Sequence, residues 1–121
     1  VALILIIDDS PTEVHVMKKA LEKEGFKTAV AGDGQEGIRL AREMHPDLIF
    51  MDVVMPGMNG YQATRTLVSD PDTTRIPIVM VTSKGQAVDR IYGLRQGAVD
   101  YMVKPVSPSA LVEKAQATLA A

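Results

Sequence analysis

Four short stretches carry side chains able to do chemistry: Asp8-Asp9, Asp52, Thr82-Ser83 and Lys104-Pro105. Each stands at the end of an apolar run: LILII, LIFM, IVMV and DYMV. Adjacent carboxylates raise each other's pKa and oppose folding unless a cation stands between them. Three carboxylates in one place suit Mg²⁺, which prefers oxygen ligands in an octahedron and takes one or two carboxylates with several waters. Lys104 would be a second, permanent cation, and the Lys104–Pro105 bond permits a cis peptide that would aim the lysine inward. A carboxylate beside Mg²⁺ and lysine is a possible nucleophile for phosphoryl transfer. The cations would neutralise phosphoryl oxygens, and Thr82 would donate a hydrogen bond to one of them.

Each residue alone has a plainer reading. Asp8 could be a turn residue or helix cap, Thr82 a cap for the fourth helix, Lys104 a solvated loop lysine, and Pro105 a helix breaker. The joint pattern resists this. Ser10 already serves as a cap, so no capping role needs two acids before it. A strand as apolar as LIFM rarely ends in an acid without a partner.

The elements that must position these groups are legible as an alternation. Apolar runs at Leu3–Ile7, Lys27–Ala31, Leu48–Met51, Ile78–Val81 and Val99–Val103 read as strands. Three of them are apolar at consecutive positions, as strands buried on both faces are. Amphipathic stretches follow each one. Ser10, Pro11 and Glu13 predict a capping box with proline at the first helical position, and Val14, Met17 and Leu21 then share a face until Gly25. A second helix runs from Asp33 and Glu36 through Ile38, Ala41 and Met44 to Pro46. A third spans roughly Gly60 to Val68, and a loop covers Ser69 to Arg75. The fourth spans about Gln86 to Gln96, with Val88, Ile91 and Leu94 inward and Gly97 ending it. The fifth starts at Ser107-Pro108 and carries Leu111, Ala115 and Leu119. Repeated β-α units with right-handed crossovers predict an α/β fold, a doubly wound five-stranded parallel sheet. The flavodoxin-like order 2-1-3-4-5 fits best, with ligands beyond the carboxyl ends of the strands at the switch point. All the chemistry-bearing residues then lie at that one edge.

The bulk composition agrees with one domain spanning 1–121. The chain has 121 residues, 46% hydrophobic and 23% charged, enough for one core. A formal net charge of −2 gives no reason to expect nucleic acid or an anionic membrane as the main partner. Without cysteine there is no disulfide, thiolate metal site or cysteine nucleophile, which suits a cytoplasmic setting. The longest apolar run, Val1 to Ile7, is far short of a membrane span and lacks the basic flank of a signal peptide. The chain starts with Val1 rather than Met, which leaves its native start open. The glycines of AGDGQEG lack the lysine of a phosphate-binding loop, so no nucleotide site is evident and a phosphoryl donor must come from outside.

The set Asp8-Asp9, Asp52 within MDVVMPGMNG, Thr82 within VTSK, and GAVDYMVKP resembles the receiver domain of two-component response regulators. The resemblance covers essentially the whole chain, with the motif positions in order and at matching spacing. It implies that Asp52 is the phosphoacceptor. It implies that Asp9 binds Mg²⁺ directly, Asp8 more often through water, and the Val54 backbone carbonyl also. Thr82 and Lys104 would contact the phosphoryl group, and Tyr101 would be the switch aromatic that turns inward when Thr82 moves toward phosphate. The implied donor is a histidine kinase or phosphotransfer protein, with small donors such as acetyl phosphate also accepted by some members. Such a protein is a signalling switch rather than an enzyme beyond self-catalysed phosphorylation and dephosphorylation. It would be a monomer, with a dimer on phosphorylation as the alternative. The stretches DSPTE, GMNGYQATRTL and YGLRQGAVDYMVKPV are similar to stand-alone regulators of type IV pilus twitching motility and related chemotaxis-like systems. A receiver excised from a larger regulator would look much the same.

Two positions vary within such domains and bear on phosphoryl lifetime. Val54, two after Asp52, cannot orient an attacking water by hydrogen bonding, which predicts slow hydrolysis. Lys84, two after Thr82, either pairs with the phosphoryl group or points into solvent. Gly85, Gly93 and Gly97 make the fourth helix soft, and a mid-helix glycine costs about 0.5–1 kcal/mol relative to alanine. Helix 4, strand 5 and helix 5 are therefore the expected output face toward a downstream protein, with Tyr92 and Tyr101 as its movable aromatics. His15 and His45 are expected away from the strand-end cluster, and Met55 and Met58 partly exposed.

Three rival readings differ in class. An aspartate-nucleophile phosphatase of the haloacid dehalogenase type needs a second Asp two after the nucleophile, where Val54 stands. A pure interaction module that takes no phosphate tends to have lost site residues, and none is missing. A flavin-binding protein would need a hydroxyl-rich loop after the first strand.

Overall fold

The computed structural model describes all residues from 1 to 121. Its elements in chain order are β1 (Leu3–Ile7), α1 (Pro11–Lys23), β2 (Lys27–Ala31), α2 (Gly34–Met44), β3 (Leu48–Met51), α3 (Gly60–Ser69), β4 (Ile78–Thr82), α4 (Ala87–Gln96), β5 (Asp100–Val103) and α5 (Pro108–Ala120). The strands form one parallel sheet in the order β2-β1-β3-β4-β5, the flavodoxin-like order expected from the alternation.

The consecutive apolar residues of the central strands divide between two faces, as the two-residue period of a strand requires. Ile4, Ile6, Leu48, Phe50, Val79 and Val81 pack with Met17, Leu21, Leu111 and Ala115 of α1 and α5. Leu5, Ile7, Ile49, Met51 and Ile78 pack with Ile38, Ala41, Ala63 and Leu67 of α2 and α3. A third cluster of Met80, Tyr61, Val53, Ala98 and Tyr101 closes the α3 and α4 side. β1 and β3 carry no polar residue, and β4 none before its last, Thr82.

Local signals set the helix ends. Ser10, Asp33 and Asn59 each accept a backbone N–H from the third helical residue, and Pro11 and Pro108 occupy the first turn. The expected capping box of α1 is only half formed. Ser10 Oγ accepts from the Glu13 N–H at 3.4 Å, but the Ser10 N–H donates to Asp8 Oδ1 at 2.9 Å. The Glu13 carboxylate is drawn away to the Lys104 ammonium instead.

α4 corrects the expected inward face. Val88, Ile91 and Leu94 are 64%, 52% and 37% exposed, and the helix turns Gly93 to the sheet. A Cβ on Gly93 would lie 2.8 Å from Met80 Sδ and 2.9 Å from the Tyr101 ring. The helix therefore lies close to the sheet along its narrowest side, which leaves its larger apolar residues outside.

Candidate functional site

The backbone ladder carries the site. Beyond the ends of the strands, the Asp8 N–H donates to Ala31 O at 3.0 Å, the Asp52 N–H to Ile7 O at 2.9 Å, and the Lys104 N–H to Thr82 O at 2.8 Å. Each residue thus continues the pairing of its strand by one bond and is held as firmly as the sheet. Extending the strand alternation by that step places Asp8, Asp52 and Lys104 on the α1/α5 side, in phase with Ile6, Phe50 and Met102. By the same alternation Thr82 falls in phase with Met80, on the side of Tyr61 and Tyr101.

The side chains follow that division. Lys104 Nζ donates to Asp8 Oδ2 at 2.9 Å and to Asp52 Oδ2 at 3.3 Å, and a third contact goes to Glu13. Asp8 and Asp52 are buried and the Lys104 side chain is only 13% exposed, which overturns the solvated-loop reading of that lysine. The Lys104–Pro105 peptide is cis. Asp8 also serves locally, since its other oxygen accepts from Ser10, and Asp52 Oδ1 accepts from the Val53 N–H at 2.7 Å. Burial lifts the Asp52 carboxyl above its ordinary range; the Lys104 charge pulls it down, Asp8 pushes it up, and the net is upward. Burial lowers the Lys104 ammonium, but its hydrogen bonds to Glu13 and Asp8, with the Asp52 and Asp8 charges, outweigh this and hold it above the ordinary lysine value.

The carboxylates whose oxygens lie within 4.8 Å of one another are Asp8, Glu13 and Asp52. Glu13 was legible only as a capping residue. The signal that could have found it is its place in the first turn of α1, on the face of the sheet that Asp8, Asp52 and Lys104 share. Asp9 is exposed and lies outside this trio. An all-oxygen, carboxylate-rich donor set at this spacing is of the kind a hard divalent cation takes.

Thr82 is fully buried, and its Oγ1 accepts from the Lys84 N–H at 3.4 Å. It does not cap α4, whose N-cap is Gln86. The Lys84 side chain is 43% exposed, and its Nζ lies 3.8 Å from Asp89 Oδ1. Tyr101 is buried, and its hydroxyl donates to Lys84 O at 2.8 Å and lies 3.3 Å from the Tyr61 hydroxyl. Burial, then the Tyr61 hydrogen bond, push the Tyr101 phenol well above its ordinary value. Tyr92 is half exposed and packs edge-on to Tyr61, with ring centroids 4.8 Å apart.

Around Asp52 the chain is shaped by backbone contact. Val53 and Met55 are buried while Val54 is 59% exposed, which corrects the expectation of a partly exposed Met55. The Gly60 N–H donates to Val53 O at 2.8 Å, and a Cβ on Gly60 would lie 1.9 Å from Asp52 O. α3 therefore starts directly against the backbone of Asp52 and turns the intervening loop over the sheet edge. His15 also departs from expectation. It borders a shallow surface depression with Asp8, Asp9 and Lys18, because α1 begins two residues after the acid pair and its second turn lies beside them. His45 ends α2 in the left-handed region at φ 48°.

The model of the response regulator receiver domain matches residues 4–116. Protein PilH of Pseudomonas aeruginosa is 49% identical over 119 residues, covering 98% of both chains. The DNA-binding response regulator MtrA of Mycolicibacterium smegmatis is 43% identical over 116 residues; the chain spans about half of its length. Among solved structures, the receiver domain of sensor histidine kinase PA1611 from Pseudomonas aeruginosa, with a magnesium ion coordinated in its active site cleft, superposes with a TM-score of 0.92 at 29% identity. That likeness covers 99% of this chain and 98% of the other.

Proposed function

The chain belongs to the response regulator receiver family, and from that premise we propose that it is a phosphorylation-dependent switch whose acceptor is Asp52. The observation that carries this is the bonding of Lys104 to both Asp8 and Asp52 at the end of the switch-point crevice. A carboxylate there is nucleophilic, held by the Val53 N–H on one oxygen and faced by the Lys104 cation on the other. Its oxygen attacks the phosphorus of a phosphohistidine on a histidine kinase or phosphotransfer protein; the histidine nitrogen leaves with the bonding pair. Lys104 and Thr82 then hydrogen-bond the phosphoryl oxygens.

The buried carboxylates of Asp8 and Asp52 suit Mg²⁺; on this reading Asp9 and the Val54 carbonyl would complete its ligands, Glu13 would stay with Lys104, and the ion would supply charge neutralisation for the transferred group. The magnesium ion in the active site cleft of the PA1611 receiver supports Mg²⁺ as the cation. A cytoplasmic setting is part of the same proposal. The output runs through α4, β5 and α5 to a protein partner, and the exposed Val88, Ile91 and Tyr92 support that face. The identity to Protein PilH along nearly all of both chains supports the resemblance to pilus and chemotaxis-like regulators.

The experiment is intact mass after incubation with Mg²⁺ and acetyl phosphate, on wild type and Asp52→Asn together. Gain of one phosphoryl group by the wild type alone supports the reading. Equal gain by both proteins would refute it.

A further inference from the structure

We infer that Glu13 is a positioning residue that latches Lys104 and competes with the phosphoryl group for it. This rests on the reading of Asp52 as phosphoacceptor and adds a residue to that site. An ammonium has three donors, and the three of Lys104 are taken by Asp8, Asp52 and Glu13. The three acceptors are not equivalent. Asp8 is buried, and its second oxygen is pinned by the Ser10 N–H. Asp52 is buried and fixed by the Val53 N–H. The Glu13 side chain is 44% exposed and stands on the first turn of α1, where water can take it. Nothing else holds its carboxylate, because the Ser10 N–H that a capping glutamate would accept from is already given to Asp8.

A phosphoryl group on Asp52 brings anionic oxygens toward the same ammonium. The acceptor that can leave at least cost is Glu13, since the other two would be stranded in a buried site. While it stays, Glu13 restrains Lys104 and adds a negative charge beside the incoming one. Its removal should therefore favour the phosphoryl-bound form. The gain is bounded by what an exposed ion pair contributes, about two- to fivefold in affinity.

The test is binding of beryllium fluoride with Mg²⁺, which bonds a carboxylate oxygen in the shape of a phosphoryl group, followed by amide chemical shifts of the full chain. Wild type, Glu13→Gln, Glu13→Asp and Asp52→Asn are compared, with thermal melts to confirm folding. Glu13→Gln should lower the half-saturating concentration about two- to fivefold. Glu13→Asp, which keeps the charge but is one methylene shorter and loosens the grip on the ammonium, should shift the half-saturating concentration in the same direction, by less than Glu13→Gln. Unchanged or weaker binding by Glu13→Gln would overturn the latch, as would Glu13→Asp matching wild type, which would leave only charge repulsion at a distance. Binding by Asp52→Asn equal to wild type would instead remove the underlying reading of Asp52.

Discussion

Lys104 reaches back across 96 residues of sequence to donate a 2.9 Å hydrogen bond to the buried carboxylate of Asp8. The two residues directly follow β1 and β5, which β3 and β4 separate in the sheet order. The lysine thus ties the last strand to the first across the mouth of the crevice. Lys104→Ala would leave Asp8 and Asp52 facing each other without a counter-charge. It should destabilise the protein by about 1–3 kcal/mol, less than a fully enclosed pair because water reaches the cleft. Urea unfolding at neutral pH measures this.

Asp52 is itself a cost to the unphosphorylated fold. Its folded-state pKa is raised above the ordinary 3.8, by burial first. Between those two values the folded state holds more protons than the unfolded one, so stability falls as pH rises through that window. Asp52→Asn removes this penalty. It should melt higher than wild type at pH 7, with the difference shrinking as pH falls below the raised pKa. A melting series against pH checks both the sign and the narrowing.

Gly60 should tolerate no side chain. A methyl group there would meet the Asp52 carbonyl oxygen at 1.9 Å, and that atom is backbone. Gly60→Ala should cost about 1–3 kcal/mol by overpacking and slow phosphorylation from acetyl phosphate as Asp52 is displaced. Unfolding curves and intact-mass time courses read the two effects separately.

Gly93 sets helix propensity against packing. Alanine is favoured over glycine in a helix by about 1 kcal/mol, yet the added Cβ would press on Met80 Sδ and the Tyr101 ring. Packing should win. Gly93→Ala should lower stability and shift the Tyr101 ring resonances, whereas a gain in stability would show that α4 has room to move outward.

Val54 is exposed, so replacing it should leave stability nearly unchanged. Val54→Asn puts an amide where it can orient water toward the phosphoryl group and should speed loss of the phosphoryl group several-fold. An unchanged hydrolysis rate would remove Val54 as a determinant of lifetime.

The fold and most of the cluster were legible because they depend on short-range pattern. Strand ends, caps and the order of elements are written in consecutive apolar residues and in Ser10, Asp33, Pro108 and Gly97. The residues that follow the strands inherit their places from the ladder, so Asp8, Asp52 and Lys104 could be gathered before any distance was known. Glu13 was not legible, because its capping role and its pairing with Lys104 use the same residue at the same position. Asp8 decides between them by taking the Ser10 N–H. The inward face of α4 is hidden from sequence for a related reason. Periodicity counts apolar residues, but the closest approach to the sheet is made by a glycine, which carries no apolar signal. Tyr61 carries no local signal, because its hydroxyl meets Tyr101 only once α3 and β5 are packed.

On the proposed reading, the phosphoryl group is carried by the carboxylate of Asp52. Borohydride reduction of the phosphorylated chain converts an acyl phosphate to an alcohol, leaving homoserine in place of the aspartate, and peptide mass spectrometry locates it. Homoserine is expected at position 52 and nowhere else. Homoserine at Asp8 or Asp9, or phosphate retained on His15 or His45 with position 52 intact, would contradict it.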